Sequence, residues 1–377
     1  MPVVDLAARR VSPVVEVDTS TAYELLLSLC LFNRAAECMT FDVGCAWFER
    51  VRAAAPPDLL AAVARFDYGT GTLWEHFLGL VYESPPPTSI ETFLAHLATL
   101  PPLDVRLYLL GYYLPAIRRE INPDLILRAA RDDADAQDQF LAAAADPPGW
   151  RATLRHFFAL GLEETHRLVV DTLRGWREVV FRAHETDLAA ALDRDATAKR
   201  HLSQGVPPDR LIELVAPDVR CEREAHSRRI ILIPTVIFRP WVLLSEHGDA
   251  RLLCYPAGAD AVDGAAPPSA SALVRLYQAL ADEHRLRMVR LLASRGCTLQ
   301  EMADELAIGK SLAHHHLAIL RAASVVRLRV GADKRYDLHP DLLALVAEAL
   351  ARYIAVPRSP GDTRTLIRKD REDADAR

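Results

Sequence analysis

No stretch of this sequence is long and apolar enough to cross a bilayer. The strongest run, Ile230 to Phe238, is nine residues broken by Pro234, where about 20 are needed. A membrane span is therefore not expected. The first residues, Met1-Pro2-Val3-Val4-Asp5, lack a cationic stretch followed by an apolar block, so no secretory leader is expected and a cytoplasmic location is. Cysteine is scarce. Cys30, Cys38, Cys45, Cys221, Cys254 and Cys297 form no C-x-x-C pair, which argues against a disulfide scaffold or a zinc ribbon. Also missing are G-x-S-x-G, H-E-x-x-H and glycine-rich phosphate motifs. Gly69-Thr70-Gly71 has no strand before it and no third glycine at the needed offset, and reads as a turn. His76, His96, His156, His166 and His184 fall on separate predicted helices, so spacing does not bring nucleophile, base and oxyanion donors together. An enzyme is not expected.

What the chain does have is an ordinary globular balance, 50% hydrophobic and 25% charged over 377 residues. At roughly 150 residues per domain this length holds two or three domains. The formal charge of -6 by itself argues against a nucleic-acid partner, because phosphate binding needs a basic surface. The sum conceals a segregation. Between Ala270 and Pro340 eleven Arg and Lys stand against seven Asp and Glu, a local +4 that leaves -10 for everything else.

The helical period opens at Asp18-Thr19-Ser20-Thr21, and Tyr23, Leu26, Leu27, Cys30 and Leu31 follow at the spacing of one buried stripe. Further helices are predicted over 43–54, 57–65, 71–82, 89–99, 103–119 and 123–145, punctuated by proline clusters. One long helix over 150–183 would form the spine of a bundle. Trp74, Phe77, Tyr82, Tyr108, Tyr112 and Tyr113 could line an effector pocket, but core packing is the better reading. From 206 to 260 the period shortens. Arg229 to Pro234, Trp241 to Leu244 and Ala250 to Tyr255 are β-type runs, with His247-Gly248-Asp249 as a hairpin turn. The expected architecture is mainly α: a helical sensor or assembly domain over 1–205, a small β-containing segment over 206–260, a linker over 261–270, a winged helix-turn-helix over 271–356, and a disordered charged tail over 357–377.

The C-terminal module carries the chemistry. A helix over 271–281 precedes one capped by Asp282, and Thr298-Leu299-Gln300-Glu301 is a capping box opening a third. Gly309 would allow the turn into a fourth, from Lys310 or Ser311 to about Ala322, completing a helix-turn-helix. On that fourth helix Ala313, His316, Leu317 and Leu320 share a core face, while Ser311, His314, His315 and Ala318 share the opposite one. This second stripe, with Lys310 at its start, suits entry into a major groove. Two strands follow around Gly331-Ala332-Asp333-Lys334. Val326, Leu328, Val330, Tyr336 and Leu338 alternate with Arg327, Arg329, Arg335 and Asp337, which makes a basic wing able to meet phosphates.

From Leu276-Tyr277-Gln278-Ala279-Leu280-Ala281-Asp282 to Leu338-His339-Pro340, the chain resembles the winged helix-turn-helix of ArsR-type bacterial transcriptional regulators. The likeness lies in the "ALAD..RLR" opening, the "T..E.A..L" third helix, the "HL..L" end of the recognition helix and the closing wing. Glu283-His284 replaces the family's usual Pro-Thr, and Ser324 stands where a helix-ending glycine is common. The N-terminal region resembles an extension found in front of some such regulators. The resemblance implies a homodimer with its seam at helices 271–281 and 341–355, binding a double-stranded DNA operator and repressing by promoter blockage, and an unidentified small-molecule effector is possible. Lys310, Ser311, His314 and His315 would approach bases, while Arg321, Arg327, Arg329, Lys334 and Arg335 would hold phosphates. The competing interpretation makes the N-terminal part a small-molecule-binding or catalytic domain, with the winged helix as a protein-interaction module.

No cofactor and no metal are expected. Consecutive helical residues point about 100° apart, so His314, His315 and His316 cannot converge on one ion. The positions of the family's sensing C-x-C pair are Thr298 and Gln300, Cys297 stands alone, and His339 with Asp341 and Glu348 only partly echoes another family site.

Overall fold

The computed structural model describes residues 13–68, 71–144, 149–217, 219–221, 229–258, 270–330, 334–340, 346–347, 350–351 and 354. The expected linker before Ala270, the expected tail, Gly69-Thr70 and much of the expected last helix over 341–355 lie outside the described residues. The protein is mainly α, with an N-terminal helical bundle that carries a small sheet and a winged helix-turn-helix at the C-terminal end.

The bundle comprises α1 (Thr21–Phe32), α2 (Gly44–Ala54), α3 (Pro57–Ala64), α4 (Leu78–Glu83), α5 (Ile90–Thr99), α6 (Pro102–Leu109), α7 (Pro115–Glu120), α8 (Pro123–Ala130), α9 (Ala134–Ala143), α10 (Trp150–Ala159), α11 (Leu162–Val180), α12 (Glu185–Ser203) and α13 (Pro208–Val215). Two 3-10 segments, Ala35–Thr40 and Leu73–Phe77, join them. Proline opens α3, α6, α7, α8 and α13, at a turn whose amides have no helical acceptor to lose. The Ser20 hydroxyl caps α1 by accepting from Ala22 N. The stripe expected on α1 understates its burial, because every residue from Thr21 to Leu31 is buried. It is the central helix. Trp176 of α11 reaches it through an Nε1–H donated to Ser28 Oγ at 2.8 Å.

Three expected helices are broken, and Arg106 sits at two of the breaks. The 150–183 spine stops at Leu160, whose extended backbone turns its carbonyl toward Arg106 Nη2 at 2.7 Å. The 123–145 helix divides at Asp132, with φ +62°, and its carboxylate takes Arg106 Nη1 at 2.7 Å. The 103–119 helix divides at Gly111, with φ +73°. Helix α12 was not anticipated because its buried positions are few: Ala191, Leu192, Asp195 and Ala196. Trp74, Phe77 and Tyr108 are buried core residues, in keeping with the packing interpretation of that aromatic stretch.

The sheet has the order β1 (Val14–Val17), β3 (Arg229–Thr235), β5 (Ala250–Pro256), β4 (Leu243–His247). β1 and β5 lie parallel to β3, and β4 pairs antiparallel with β5 across the expected turn at Gly248. Its alternation serves two cores. Ile231, Ile233, Leu252 and Cys254 join the large helical core, whereas Ile230, Leu232, Leu253 and Tyr255 pack with Leu211, Ile212 and Val215 of α13. The β segment therefore shares the bundle's interior, and its edge strand β1 arrives from upstream of α1. Buried Glu24 ties helix to sheet by accepting from Val236 N and Ile237 N at 2.7 and 2.8 Å. Cys38 and Cys45 form a local disulfide linking the first 3-10 segment to the start of α2, while Cys30, Cys254 and Cys297 are free and buried.

Candidate nucleic-acid interface

The C-terminal module contains α14 (Ala270–Leu280), α15 (Glu283–Ser294), α16 (Leu299–Leu306), α17 (Lys310–Ala322), β6 (Val326–Val330) and β7 (Lys334–Leu338). Each helix start is set locally. Asp282 Oδ1 accepts from Arg285 N at 3.0 Å, and Thr298 and Glu301 form the reciprocal capping box. The turn differs from expectation in one detail. Ala307 takes the left-handed conformation at φ +52°, while Gly309 is an ordinary extended N-cap residue at φ -64°. Ser324 occupies the left-handed position after α17, at φ +55°, a conformation that costs a non-glycine residue about 1 kcal/mol. Met288, Leu292, Met302, Leu306, Leu317 and Tyr336 contribute to this module's own core.

On α17 the expected core face is buried, with Ala313, His316, Leu317 and Leu320 inside. Lys310, Ser311, His314 and His315 are exposed, as is Leu312. The free stripe ends there. Ala318, assigned to it by periodicity, is buried, and with Ala322 it belongs to the N-terminal core. Arg321, expected to hold phosphate, instead stacks its guanidinium 4.7 Å over the Trp241 ring. Arg34, Glu37 and Trp241 face His314, Leu317, Ala318, Arg321 and Tyr336 across a cleft of about 30 Å³. Burial at this contact lowers the His314 pKa, with Glu37 opposing the shift and Arg34 reinforcing it.

The wing is a hairpin with the expected alternation: Val326, Leu328 and Tyr336 are buried. Its cations are engaged within the protein. Arg329 bonds Asp337 at 2.8 and 3.0 Å, and Arg335 donates to Glu301 at 3.1 Å and to Gly296 O at 2.9 Å. Arg327 Nη2 lies 2.7 Å from His339 Nε2. Gly296 permits this arrangement, since a Cβ there would stand 2.1 Å from Asp337 Oδ1. Lys334 is exposed. The site residues therefore divide: Lys310, Ser311, His315 and Lys334 face solvent, His314 is exposed on one side and borders the cleft on the other, and Arg321, Arg327, Arg329 and Arg335 are held by neighbours. The outer edge of β6 pairs in parallel with β2 (Val219–Cys221), from the segment that precedes β3.

Sequence reasoning missed the residues that grip α17 from outside. Trp241 lay within a β-type run, Arg34 and Glu37 lay just past a helix end, and no short-range pattern marks a partner some 80 to 280 positions away. A further feature of the N-terminal region lies next to them, a polar cavity of about 230 Å³ lined by Cys30, Asn33, Arg34, Tyr68, Thr72 and Glu75, among others. Arg34 borders both this cavity and the cleft at α17. Next to Tyr68, burial pushes the Asp67 carboxyl up to about 7.

No described helix is long and apolar enough to cross a membrane. Neither a curated protein nor a solved structure matches the chain. Residues 280–329, from the end of α14 into the wing, match the family model of a helix-turn-helix domain, so the C-terminal module has the architecture of a DNA-binding regulator.

Proposed function

We propose that the protein is a sequence-specific DNA-binding transcriptional regulator, a repressor in the ArsR manner, acting as a cytoplasmic homodimer and without catalysis. The observation that carries this reading is the split of α17: its first turns are open with Lys310, Ser311 and His315 outward and His314 at the border, while its last turns are gripped by the N-terminal region. The open half would reach base edges, with Lys334 on phosphate. One short helix reads few base pairs, so useful specificity needs two copies. An apolar seam is on offer, with Val274 and Tyr277 of α14 exposed, as are Leu350 and Ile354. The N-terminal region is the sensor. A ligand in the cavity beside Arg34 would shift access to α17 through any difference in its affinity for gripped and released states.

The internal pairing of the wing arginines favours the second reading, in which the winged helix is an interaction module for an active N-terminal part. Selection of bound duplexes from a random pool by the full chain separates the two. Enrichment of paired half-sites supports the regulator; failure to enrich any duplex, by the wild type and by Arg321→Ala alike, refutes it.

A further inference from the structure

His284 is the second residue of α15, two past its cap Asp282, and His316 faces both from the buried side of α17. The two imidazoles stack with centroids 5.4 Å apart and planes 10° from parallel. Asp282 Oδ1 is 3.8 Å from His316 Nδ1, and one ligand atom from each of the three residues lies within 4.8 Å of the others. With metal–nitrogen bonds of about 2.0–2.1 Å, two imidazoles at a tetrahedral angle hold their centroids about 5 Å apart. The spacing already present is close to that, but a metal lies in the plane of each imidazole it binds, so the His284 ring turns out of the stack to aim its nitrogen at the point that His316 and Asp282 face.

We propose that Asp282, His284 and His316 form a binding site for a divalent transition-metal ion of the zinc class, with water completing the coordination. Two imidazoles and one carboxylate favour such an ion over magnesium or calcium, which take oxygen ligands. The competing cation is Arg285. Its guanidinium donates at 2.7 and 2.8 Å to the carbonyls of Ala279 and Gln278, and it reaches His316 Nδ1 and Asp282 Oδ2 only at 3.5 and 3.8 Å. Those last two distances are too long for strong hydrogen bonds, so metal bonds of about 2 Å replace little. The histidine triplet on α17 is not the site. One of its members acts with a residue 32 positions earlier, and the pair bridges the start of α15 to the recognition helix. Nothing in this site depends on DNA binding.

The test is a zinc(II) titration of the untagged full chain against a chromophoric chelator, repeated with cobalt(II) to read the visible absorption of a tetrahedral site. The wild type is expected to bind one ion that His284→Ala and Asp282→Asn bind more weakly by roughly tenfold or more, with loss of the cobalt absorption. Asn retains a capping oxygen, and His284 is only half-buried, so circular dichroism is expected to show both variants folded. His284→Gln is a second choice should His284→Ala misfold. Equal zinc affinity and stoichiometry in wild type and a folded His284 variant, or no zinc bound by the wild type, would overturn the proposal.

Discussion

Single polar side chains decide where the helices of the bundle stop. The Arg106 side chain is fully buried, and it answers Asp132, Leu160 O and Thr165 Oγ1 together. Without it, a carbonyl and a hydroxyl lose a charged donor, and a long side chain leaves a cavity. Asp132 is half exposed, so water compensates it in part. Arg106→Ala is expected to cost about 2–4 kcal/mol in denaturant unfolding, and a loss below about 0.5 kcal/mol would show that the two breaks stand without it. Sequence alone did not reveal this role, because a lone arginine in an apolar helix gives no indication of two acceptors 26 and 54 residues away.

Titration works in both directions at this scale. Burial lowers the pKa of His76, His314 and His316, so below about pH 6.5 the unfolded chain takes up protons that the folded one refuses. Their share of stability is complete above that pH and is lost as the pH falls through it. Asp67, raised to about 7 by burial, has the opposite sign. The unfolded chain holds its carboxyl ionised down to about pH 4, so this group favours the fold progressively as pH falls from 7. Thermal midpoints between pH 7.5 and 5.5 are therefore expected to fall less steeply in His314→Asn and more steeply in Asp67→Asn than in the wild type. Parallel curves for all three would show that neither group changes its protonation on folding.

Among the elements, α17 divides its duties along its length. Its first turns were legible from period alone, since the buried positions Ala313, His316, Leu317 and Leu320 repeat at helical spacing and leave Ser311, His314 and His315 outside. Its last turns were not, because Ala318 and Ala322 are small enough to suit either solvent or a tight contact. The stack of Arg321 on Trp241 is a cation–π contact worth about 0.5–2 kcal/mol. If it restrains the helix, Arg321→Ala raises operator affinity by roughly 2- to 30-fold, the same energy read as a population shift. A uniform loss of affinity together with a flatter salt slope would instead return Arg321 to the phosphate-contact role suggested by its position.

At the level of the whole molecule, α14 leaves Val274 and Tyr277 in solvent, and Leu350 and Ile354 are exposed further along the chain. Aromatic and aliphatic side chains of this kind supply the centre of a subunit interface. Tyr277→Glu is expected to convert the proposed dimer to monomers in sedimentation and to weaken binding to two half-sites far more than to one. Unchanged sedimentation would place the seam elsewhere.

The sequence by itself determined the features that short-range periodicity and capping chemistry specify: a helical first part, a sheet near 229–256, and a cationic winged helix with an Asp cap, a capping box and an alternating wing. These signals act over three or four residues, so neighbours suffice to read them. Tertiary structure decided the rest. It assigned Asp337 and Glu301 to the wing arginines, set Trp241 and the 3-10 segment against α17, brought β1 and β2 to distant strands, and placed His284 beside His316. Each of these depends on chain segments meeting across a core, where the burial of many side chains fixes a geometry that no local spacing contains.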